Sequence, residues 1–589
     1  MLDRTEVDQG WVKRAQKEEK ERSNELYSRL VGHSTVASLR NLSVISKILA
    51  FIGGLIVSYK FVEGTVVFIL IDYLLDSWGQ KKKHIALVVT NLHDGLSRLL
   101  FVIVSQISEK YTGCFNMITY CAPLSILGLV LLWTSTSAFG AVYAALVLLA
   151  LGKGGQMLSE NFLEDQLQDH MDAVHIKISL FVPSFVVYIM TIYYAFHEYL
   201  TYSSRFRFAA FLMLGAYVLF LAGSMLYSEE ELSDESNLGK IYRIIKAAIG
   251  KCKLKYPASP IFYYWKDYKQ GHWYSLGEGV RLKPHVPRLF RWLDKAAIVT
   301  DSNDSNEVNP EIQEKNGKLC TVKEVREVKS LVPMIYLGFT FFGYSFLLAS
   351  GNTFFVSQAS TSESVITNIS GNDIYILNLI KEVTNDMSRF IYFLILQSLV
   401  RLKVIDFMPK RKQATIIRVG FGMFCAVICC LIAWQVEIAR LSKDTNTTVA
   451  LVPQFILLGM AEGLVDGGFE NLFHGHVVRS MWGFEDSFSE LVIGFGKLFV
   501  TPFVLILSSW FDGSYNTSHL DRCFLMLGVV NGMFLLIFGY YSYKYAYKET
   551  CPNDENVTLE ESLEPIYQEN NNEAQLVDQD NKLIMAIFN

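Results

Sequence analysis

The chain has 589 residues, of which 51% are hydrophobic and 13% aromatic, and its mean hydropathy is +0.25. Soluble proteins of this length are less apolar, so the composition excludes an ordinary soluble domain. The formal net charge of −5 averages over a basic middle and an acidic C-terminal stretch and therefore gives no argument for nucleic-acid binding. The nine cysteines show no metal-ligand spacing, and we interpret them as reduced packing residues.

Twelve apolar segments, each long enough to cross a bilayer, stand in two groups of six. A helix that faces water needs a polar stripe, and these segments have almost none. The predicted helices are 48–75, 84–105, 115–135, 139–162, 178–196, 206–227, 331–350, 374–400, 415–436, 449–472, 487–510 and 524–545. We refer to them as predicted helices 1 to 12. The sequence thus predicts an all-α polytopic membrane protein with about 12 transmembrane helices in two six-helix bundles.

The helices and the charged stretches between them predict five parts of the chain. These are a cytosolic N-terminal segment 1–42, a six-helix bundle 43–227, a basic cytosolic loop 228–330, a second six-helix bundle 331–546 and an acidic cytosolic tail 547–589. An even number of helices places both termini and the central loop on one side, and their Lys and Arg residues mark that side as cytosolic. Glycosylation sequons at Asn368, Asn446 and Asn516 fall in loops predicted to be external.

Several short motifs resemble one known family. Residues 291–298 read RWLDKAAI, which resembles the RFLDKAA signature of the plant nitrate/peptide transporter family, the proton-dependent oligopeptide transporter branch of the major facilitator superfamily. Four further stretches are similar to family segments and stand in the same order: 152–155 with 162–166, 320–329, 353–358 and 452–462. The first motif is fairly specific, and the order of the others makes coincidence improbable.

The resemblance implies the major facilitator fold. In that fold, two six-helix bundles are related by a pseudo-twofold axis along the membrane normal, and the substrate cavity lies between them near the bilayer midplane. It also implies alternating access by rocking of the bundles. A fold of this kind does not by itself determine the substrate.

Predicted helix 1 departs from the family at its proton site. Where the family has Glu-x-x-Glu-Arg, this chain reads Lys60-Phe-Val-Glu63-Gly64, so only one of the three charges is kept. Proton symport through this motif is therefore in doubt. Lys60 and Glu63 are three residues apart and can neutralise each other as a plain salt bridge, which is the alternative to a working proton site.

Predicted helix 4 carries a second departure. The family's cationic position is Met157 here, and Lys153 stands one helical turn earlier on the same face. The resemblance implies that Glu470, on predicted helix 10, is its partner across the two bundles. The alternative is that Lys153 extends to the cytosolic interface of the membrane.

Predicted helices 8 and 10 are unusually polar for membrane segments. Predicted helix 8 carries Lys381, Glu382, Asn385, Asp386 and Arg389, and predicted helix 10 carries an acidic stripe of Glu462, Asp466 and Glu470. The functional interpretation is a hydrophilic cavity wall that binds a polar or ionic solute, with Lys381, Glu382, Asn385, Glu462 and Asp466 as the predicted substrate residues. The alternative for predicted helix 8 is a helix end raised above the bilayer. Further network members are expected at Asn91, Asp94, Arg98, Glu490 and Lys497.

Three functional hypotheses follow. The first is alternating-access transport of a small polar or anionic solute such as nitrate, a short peptide or a similar plant metabolite. The others are a facilitator without proton coupling and a sensor or scaffold that keeps the fold without transport. No catalytic residues, cofactor, metal site or nucleic-acid partner are predicted, and the Gly152-x-Gly-Gly motif is interpreted as close helix packing. The expected partners are the solute, protons and lipid of the plasma or vacuolar membrane; the oligomeric state and the direction of transport stay open.

Overall fold

A computed structural model describes most of the chain between residues 44 and 546. The described ranges are 44–68, 70–78, 83–134, 139–168, 171, 173–196, 201–228, 235–266, 280–282, 288–300, 310–360, 362–367, 372–401, 408–442, 447–507, 510 and 519–546. The predicted cytosolic segments 1–42 and 547–589 and the three sequons lie outside them. The chain forms two units, Met1–Gly539 and Tyr540–Asn589, and their boundary falls within the last described helix.

Six long helices form the N-terminal half. The first, α1, is Val44–Val62, and it continues as a π-helical turn, Glu63–Val67, and a further helix, Leu70–Trp78. The others are α2, Lys83–Ile107; α3, Cys114–Thr134; α4, Phe139–Gln168; α5, Ala173–Ala195; and α6, Tyr202–Ala222.

Six more helical elements form the C-terminal half. Here α7 is broken into Val322–Ser330, Val332–Thr340, Phe342–Ser350, a π-helical turn Gly351–Phe355 and Val356–Ser360. The others are α8, Asp373–Arg401; α9, Met408–Leu441; α10, Val452–His476; α11, Glu485–Leu498 with Val500–Ile506; and α12, Leu520–Ala546.

These helices have the dimensions and composition of membrane spans. Ten are long and apolar enough to cross a bilayer, and the two arms of α7, which meet at a bend of 46°, bring the number to as many as eleven among the described residues. A span needs about 20 apolar residues. The 29 residues of α8 are sufficient in length, but the charges predicted to line a cavity make this helix less apolar than its neighbours.

The two halves pack internally through close approaches at glycine. A Cβ atom at Gly152 of α4 would lie 1.9 Å from Ser125 Oγ of α3, so the Gly152-x-Gly-Gly motif serves helix packing, as predicted. In the C-terminal half, a Cβ atom at Gly459 of α10 would lie 2.2 Å from the carbonyl oxygen of Lys381, and one at Gly463 would lie 2.3 Å from that of Asn385. Glycine thus allows α10 to lie directly against the polar stretch of α8.

Described parts of the central loop pack around the residues of the family signature. Residues Arg288–Ala297 form a 3-10 helix, and its Asp294 carboxylate lies 2.5 Å from the Lys329 ammonium at the start of α7, with both side chains almost fully buried. Lys251 donates hydrogen bonds to the carbonyl oxygens of Ala296 and Ile298, and burial lowers the pKa of its ammonium to about 8. The signature therefore anchors the loop to the base of α7.

A linker helix, Asn237–Gly250, bridges the two halves at this same end of the molecule. Its first turn contacts the end of α2, where the Leu238 amide donates to Gln106 Oε1 over 2.8 Å. Further along the helix, Lys240 pairs with Glu327 of α7 at 3.0 Å. We call this side of the helices the loop end and the other side the far end.

Candidate functional site

A cavity of about 770 Å³ lies between the two halves and is lined by α1, α2, α4, α5, α7, α8, α10 and α11. It reaches from Asn352 and Asn378 to Gln168 and Trp482 at the loop end. The structure places all nine predicted site residues in its lining: Lys60, Glu63, Lys153, Lys381, Glu382, Asn385, Glu462, Asp466 and Glu470. The charged face of α8 is therefore a cavity wall and not a helix end outside the bundle.

On the N-terminal wall, α1 and α4 share a charge network that differs from both predicted pairings. Lys153 Nζ lies 2.6 Å from Glu63 Oε1, and Gln156 donates to Glu63 Oε2 over 3.0 Å. Lys60 lies 3.5 Å from a Glu160 carboxylate oxygen and donates to Ser184 Oγ over 3.1 Å.

The predicted Lys60–Glu63 salt bridge is wrong for this structure, because each side chain has another partner. Lys60 pairs with Glu160, and Glu63 pairs with Lys153. The predicted Lys153–Glu470 pair is also wrong here, because Glu63 satisfies the Lys153 ammonium within the same half. Glu470 is exposed in the cavity and makes no ion pair among the described residues.

On the C-terminal wall, the cations of α8 pair with carboxylates of α8 and of α10. Lys381 Nζ lies 2.9 Å from Glu382 and 3.7 Å from Glu462. Arg389 lies 3.3 Å from Asp466, whose other oxygen accepts a hydrogen bond from the Tyr344 hydroxyl over 2.9 Å. The Glu462, Asp466 and Glu470 stripe faces the cavity.

The two halves are joined by ion pairs between α2 and α11. Lys497 Nζ lies 2.7 Å from Asp94 Oδ2, which also accepts a hydrogen bond from Asn352 over 3.0 Å. One turn further along α2, Arg98 Nη1 lies 2.7 and 2.9 Å from the two oxygens of Glu490. Each side chain in these two pairs is at most 12% exposed. The sequence analysis expected these four residues in a polar network but did not pair them.

Contacts between α5 and α8 and at the far end complete the boundary between the halves. The Tyr188 hydroxyl donates to Asp386 over 2.5 Å. At the far end, Arg205 of α6 hydrogen-bonds to Tyr375 and Asn372 at the start of α8, and Asn372 donates to the carbonyl oxygen of Ala195. At the loop end, Asn161 of α4 donates to Asp486 of α11 over 2.6 Å, and Ser487 of α11 hydrogen-bonds to Ser105 and Gln106 of α2.

Sequence reasoning missed several lining residues. Asn378 is 3% exposed and lies on α8 one turn before the predicted Lys381 and Glu382, so the same helical spacing could have identified it. Glu160 follows Lys153 by seven residues, which is two turns on the same face. Glu485 and Asp486 were placed outside the predicted start of helix 11, at 487.

Within the described ranges, no group of three or more His, Cys, Asp or Glu side chains could hold a metal ion.

The sequence comparison gives the family. The profile of the POT family, named PTR2, matches residues 115–519. The chain belongs to the POT family. Among its relatives from Arabidopsis thaliana, Protein NRT1/ PTR FAMILY 5.6 is 25% identical over 526 residues, covering 82% of this chain and 88% of the relative. Protein NRT1/ PTR FAMILY 5.7 is 24% identical over 539 residues, covering 82% and 85%.

Solved structures of POT transporters share the fold. An auto-inhibited POT family peptide transporter superposes with a TM-score of 0.62 at 16% identity, covering 86% of this chain and 98% of the other. The POT family transporter PepTSo gives 0.61 at 15% identity, covering 86% and 99%. These likenesses confirm the predicted major facilitator fold. The family match identifies the chain as a multi-pass membrane transporter.

Proposed function

We propose that this POT-family transporter moves a small polar or ionic solute across the plasma or vacuolar membrane by alternating access. The observation that carries the proposal is the cavity between the halves, which is lined by eight helices, six of which contribute charged side chains. Charges at membrane depth are costly and are retained where they face a water-filled path or a partner. Nitrate, a short peptide or a similar plant metabolite are the candidates that the family resemblance suggests.

The contacts support an inward-open resting state. The far end is closed by Arg205, Tyr375 and Asn372, whereas the cavity lining continues to Gln168 and Trp482 at the loop end. The basic central loop marks this end as cytosolic by the positive-inside rule. Rocking about the α2–α11 and α5–α8 contacts would then expose the same residues to the other side.

Weak proton coupling is part of the proposal. Glu63, the one acid kept from the family's proton motif, is already neutralised by Lys153 at 2.6 Å, and Gly64 supplies no compensating guanidinium. A carboxylate held in an ion pair takes up a proton less readily. This observation favours a second candidate function, facilitated transport without proton coupling, over proton symport.

Flux through proteoliposomes tests the proposal. Uptake of labelled nitrate and of a labelled dipeptide is measured at two external pH values, with and without a protonophore. We expect uptake of at least one polar solute above empty liposomes, with little change when the proton gradient collapses. Folded protein that moves no polar solute would instead support the sensor or scaffold hypothesis, and loss of uptake with the protonophore would show that other acids carry proton coupling.

The proposed topology has its own test in the linker, where Cys252 is exposed. A membrane-impermeant maleimide applied to intact cells should leave Cys252 unlabelled and should label it after permeabilisation. Glu363→Cys, at an exposed position between α7 and α8, is the matched positive control and should react from outside. Labelling of Cys252 in intact cells would show that the linker is external, which is the opposite of the proposed topology.

A further inference from the structure

The cavity opens at the loop end between acidic side chains of both halves. Six of the lining residues there form a set that we call the mouth: Glu164 and Asp165 of α4, Glu470 and His474 of α10, and Glu485 and Asp486 of α11. Five of them are acids, and His474 is the one base. The charge of the mouth therefore depends on whether the His474 imidazole carries a proton.

The two sides of the mouth belong to different halves of the protein. They already touch at one point, where Asn161 of α4 donates to Asp486 over 2.6 Å, and Asp486 also faces Glu164 and Glu470. Closing this end would bring the carboxylates of α4 still nearer to those of α10 and α11. Like charges repel more strongly as they approach each other in a partly shielded site, so the acids of the mouth oppose its closure.

The His474 ring is held toward one of these acids. It packs on the Trp482 ring with the two centroids 4.4 Å apart, and the Trp482 indole N–H donates to the Val477 carbonyl oxygen over 3.1 Å. In this position His474 Nε2 lies 2.9 Å from Glu485 Oε2, and the two side chains are 34% and 15% exposed. The imidazole is thus in contact with Glu485 and still reached by water from the loop end.

Protonation of His474 changes the charge of this contact and leaves its geometry intact. A neutral imidazole with hydrogen on Nε2 still donates to Glu485, but only the protonated ring offsets the carboxylate charge. The other acids that face His474 are Glu470, one turn earlier on α10, and Asp486. On the neighbouring 3-10 helix, Arg479–Phe484, the exposed Arg479 lies 5.8 Å from the Trp482 ring, and its charge is constant over the range where imidazole titrates.

We propose that His474 and Glu485 form a pH switch that controls closure of the mouth. Protonated His474 offsets one of the five acids and lowers the repulsion across the mouth, which favours the closed end; neutral His474 favours the open end. The switch rests on the proposed alternating access and specifies how that motion is regulated. It responds to the pH on the loop-end side and needs no proton gradient, so it differs from proton symport.

The test measures the distance across the loop end between two spin labels in the full-length protein in detergent. The labels are placed on Gln168→Cys of α4 and Ser480→Cys beside α11, both at exposed positions, and Cys114, Cys252 and Cys551 are replaced by serine. With one pH throughout the sample, lowering it from about 8 to about 5.5 protonates imidazole. We expect the ratio of the shorter, closed distance to the longer, open distance to rise about threefold or more.

Substitutions at His474 in the spin-labelled protein separate its charge from its packing. His474→Gln should keep the alkaline ratio at both pH values, whereas His474→Lys, which keeps a cation at both, should keep the acid ratio. The matched control is His476→Gln. His476 Nδ1 lies 2.7 Å from the Leu472 carbonyl oxygen and is not part of the described cavity lining, so this variant should respond to pH as the parent does.

Three results would overturn the switch. The first is a distance ratio in the parent that does not change with pH. The second is a pH response that survives in His474→Gln, which would show that the carboxylates of the mouth carry it. The third is an alkaline ratio in His474→Lys, which would show that a cation at this position does not favour closure.

The flux assay separates the switch from the proposed function. Protein whose loop end responds to pH through His474 but which moves no solute contradicts the transport function and supports the switch. Protein that transports a solute while its distance ratio does not depend on pH supports transport and rejects the switch.

Discussion

Lys497→Met is expected to destabilise the protein by ~3–5 kcal/mol, the cost of leaving a buried charge without its partner. The Lys497 ammonium lies 2.7 Å from the Asp94 carboxylate, and the two side chains are 2% and 7% exposed. Asn352 also donates to Asp94 Oδ2, and Arg98 Nε lies 3.9 Å from Asp94 Oδ1, but the Arg98 guanidinium is already bound to both oxygens of Glu490. The change is measured as a loss of thermal stability of the purified protein in detergent.

The double variant Asp94→Asn with Lys497→Met isolates the pairwise contribution. Removing both charges leaves neither unpaired, so the double variant should be more stable than Lys497→Met alone. Lys253→Met is the matched control, since Lys253 is exposed in the linker, and its effect should stay within ~0.5 kcal/mol. Equal stability of the single and double variants would show that the Asp94 carboxylate does not destabilise the protein when Lys497 is absent.

The sequence predicted the helices well because span length and apolar composition are local properties. Each predicted segment coincides with a helical element, and the largest difference is α7, which begins at Val322 and continues past a 46° bend to Ser360. Its first turns contain Glu324, Glu327 and Lys329, so hydropathy alone placed the start later. Glu324 and Glu327 pair with Arg243 and Lys240 of the linker helix, and Lys329 pairs with Asp294, so tertiary structure accommodates these charges.

The pairings were harder to predict because they depend on which helices face each other. A helical wheel correctly placed Lys153 and the stripe of Glu462, Asp466 and Glu470 toward a cavity. It contains no information on whether α1 or α10 is nearer to Lys153. The choice of Glu63 as the partner of Lys153 is set by the packing of α1 against α4, which spacing along the chain does not show.

The ion pairs between α2 and α11 illustrate the same limit. Asp94 and Lys497 lie in apolar segments about 400 residues apart, and spacing along the chain cannot connect them. Gly95 and Gly494 lie at this crossing, where an added Cβ atom would contact Leu498 at 2.7 Å and Arg98 at 3.1 Å. Small residues on both helices allowed the approach, but only the folded chain shows that they meet.

The second large effect is expected at the pair of Lys153 and Glu63. Lys153→Met should lower uptake of the transported solute about tenfold or more, because it leaves Glu63 without its cation in the cavity wall. The effect on stability should be smaller than at Lys497, near ~1 kcal/mol, since the Glu63 side chain is 41% exposed and is screened by solvent. Uptake and thermal denaturation are measured on the same preparations.

Charge exchange then decides which carboxylate is the partner of Lys153. The exchange Lys153→Glu with Glu63→Lys keeps both charges at a 2.6 Å contact and should restore part of the uptake. The exchange Lys153→Glu with Glu470→Lys should not, because Glu470 makes no ion pair with Lys153 in this structure and the exchange would place two carboxylates, residues 63 and 153, side by side. Recovery through Glu470 would show that Lys153 changes partner during the transport cycle, and that the pair with Glu63 belongs to one conformation alone.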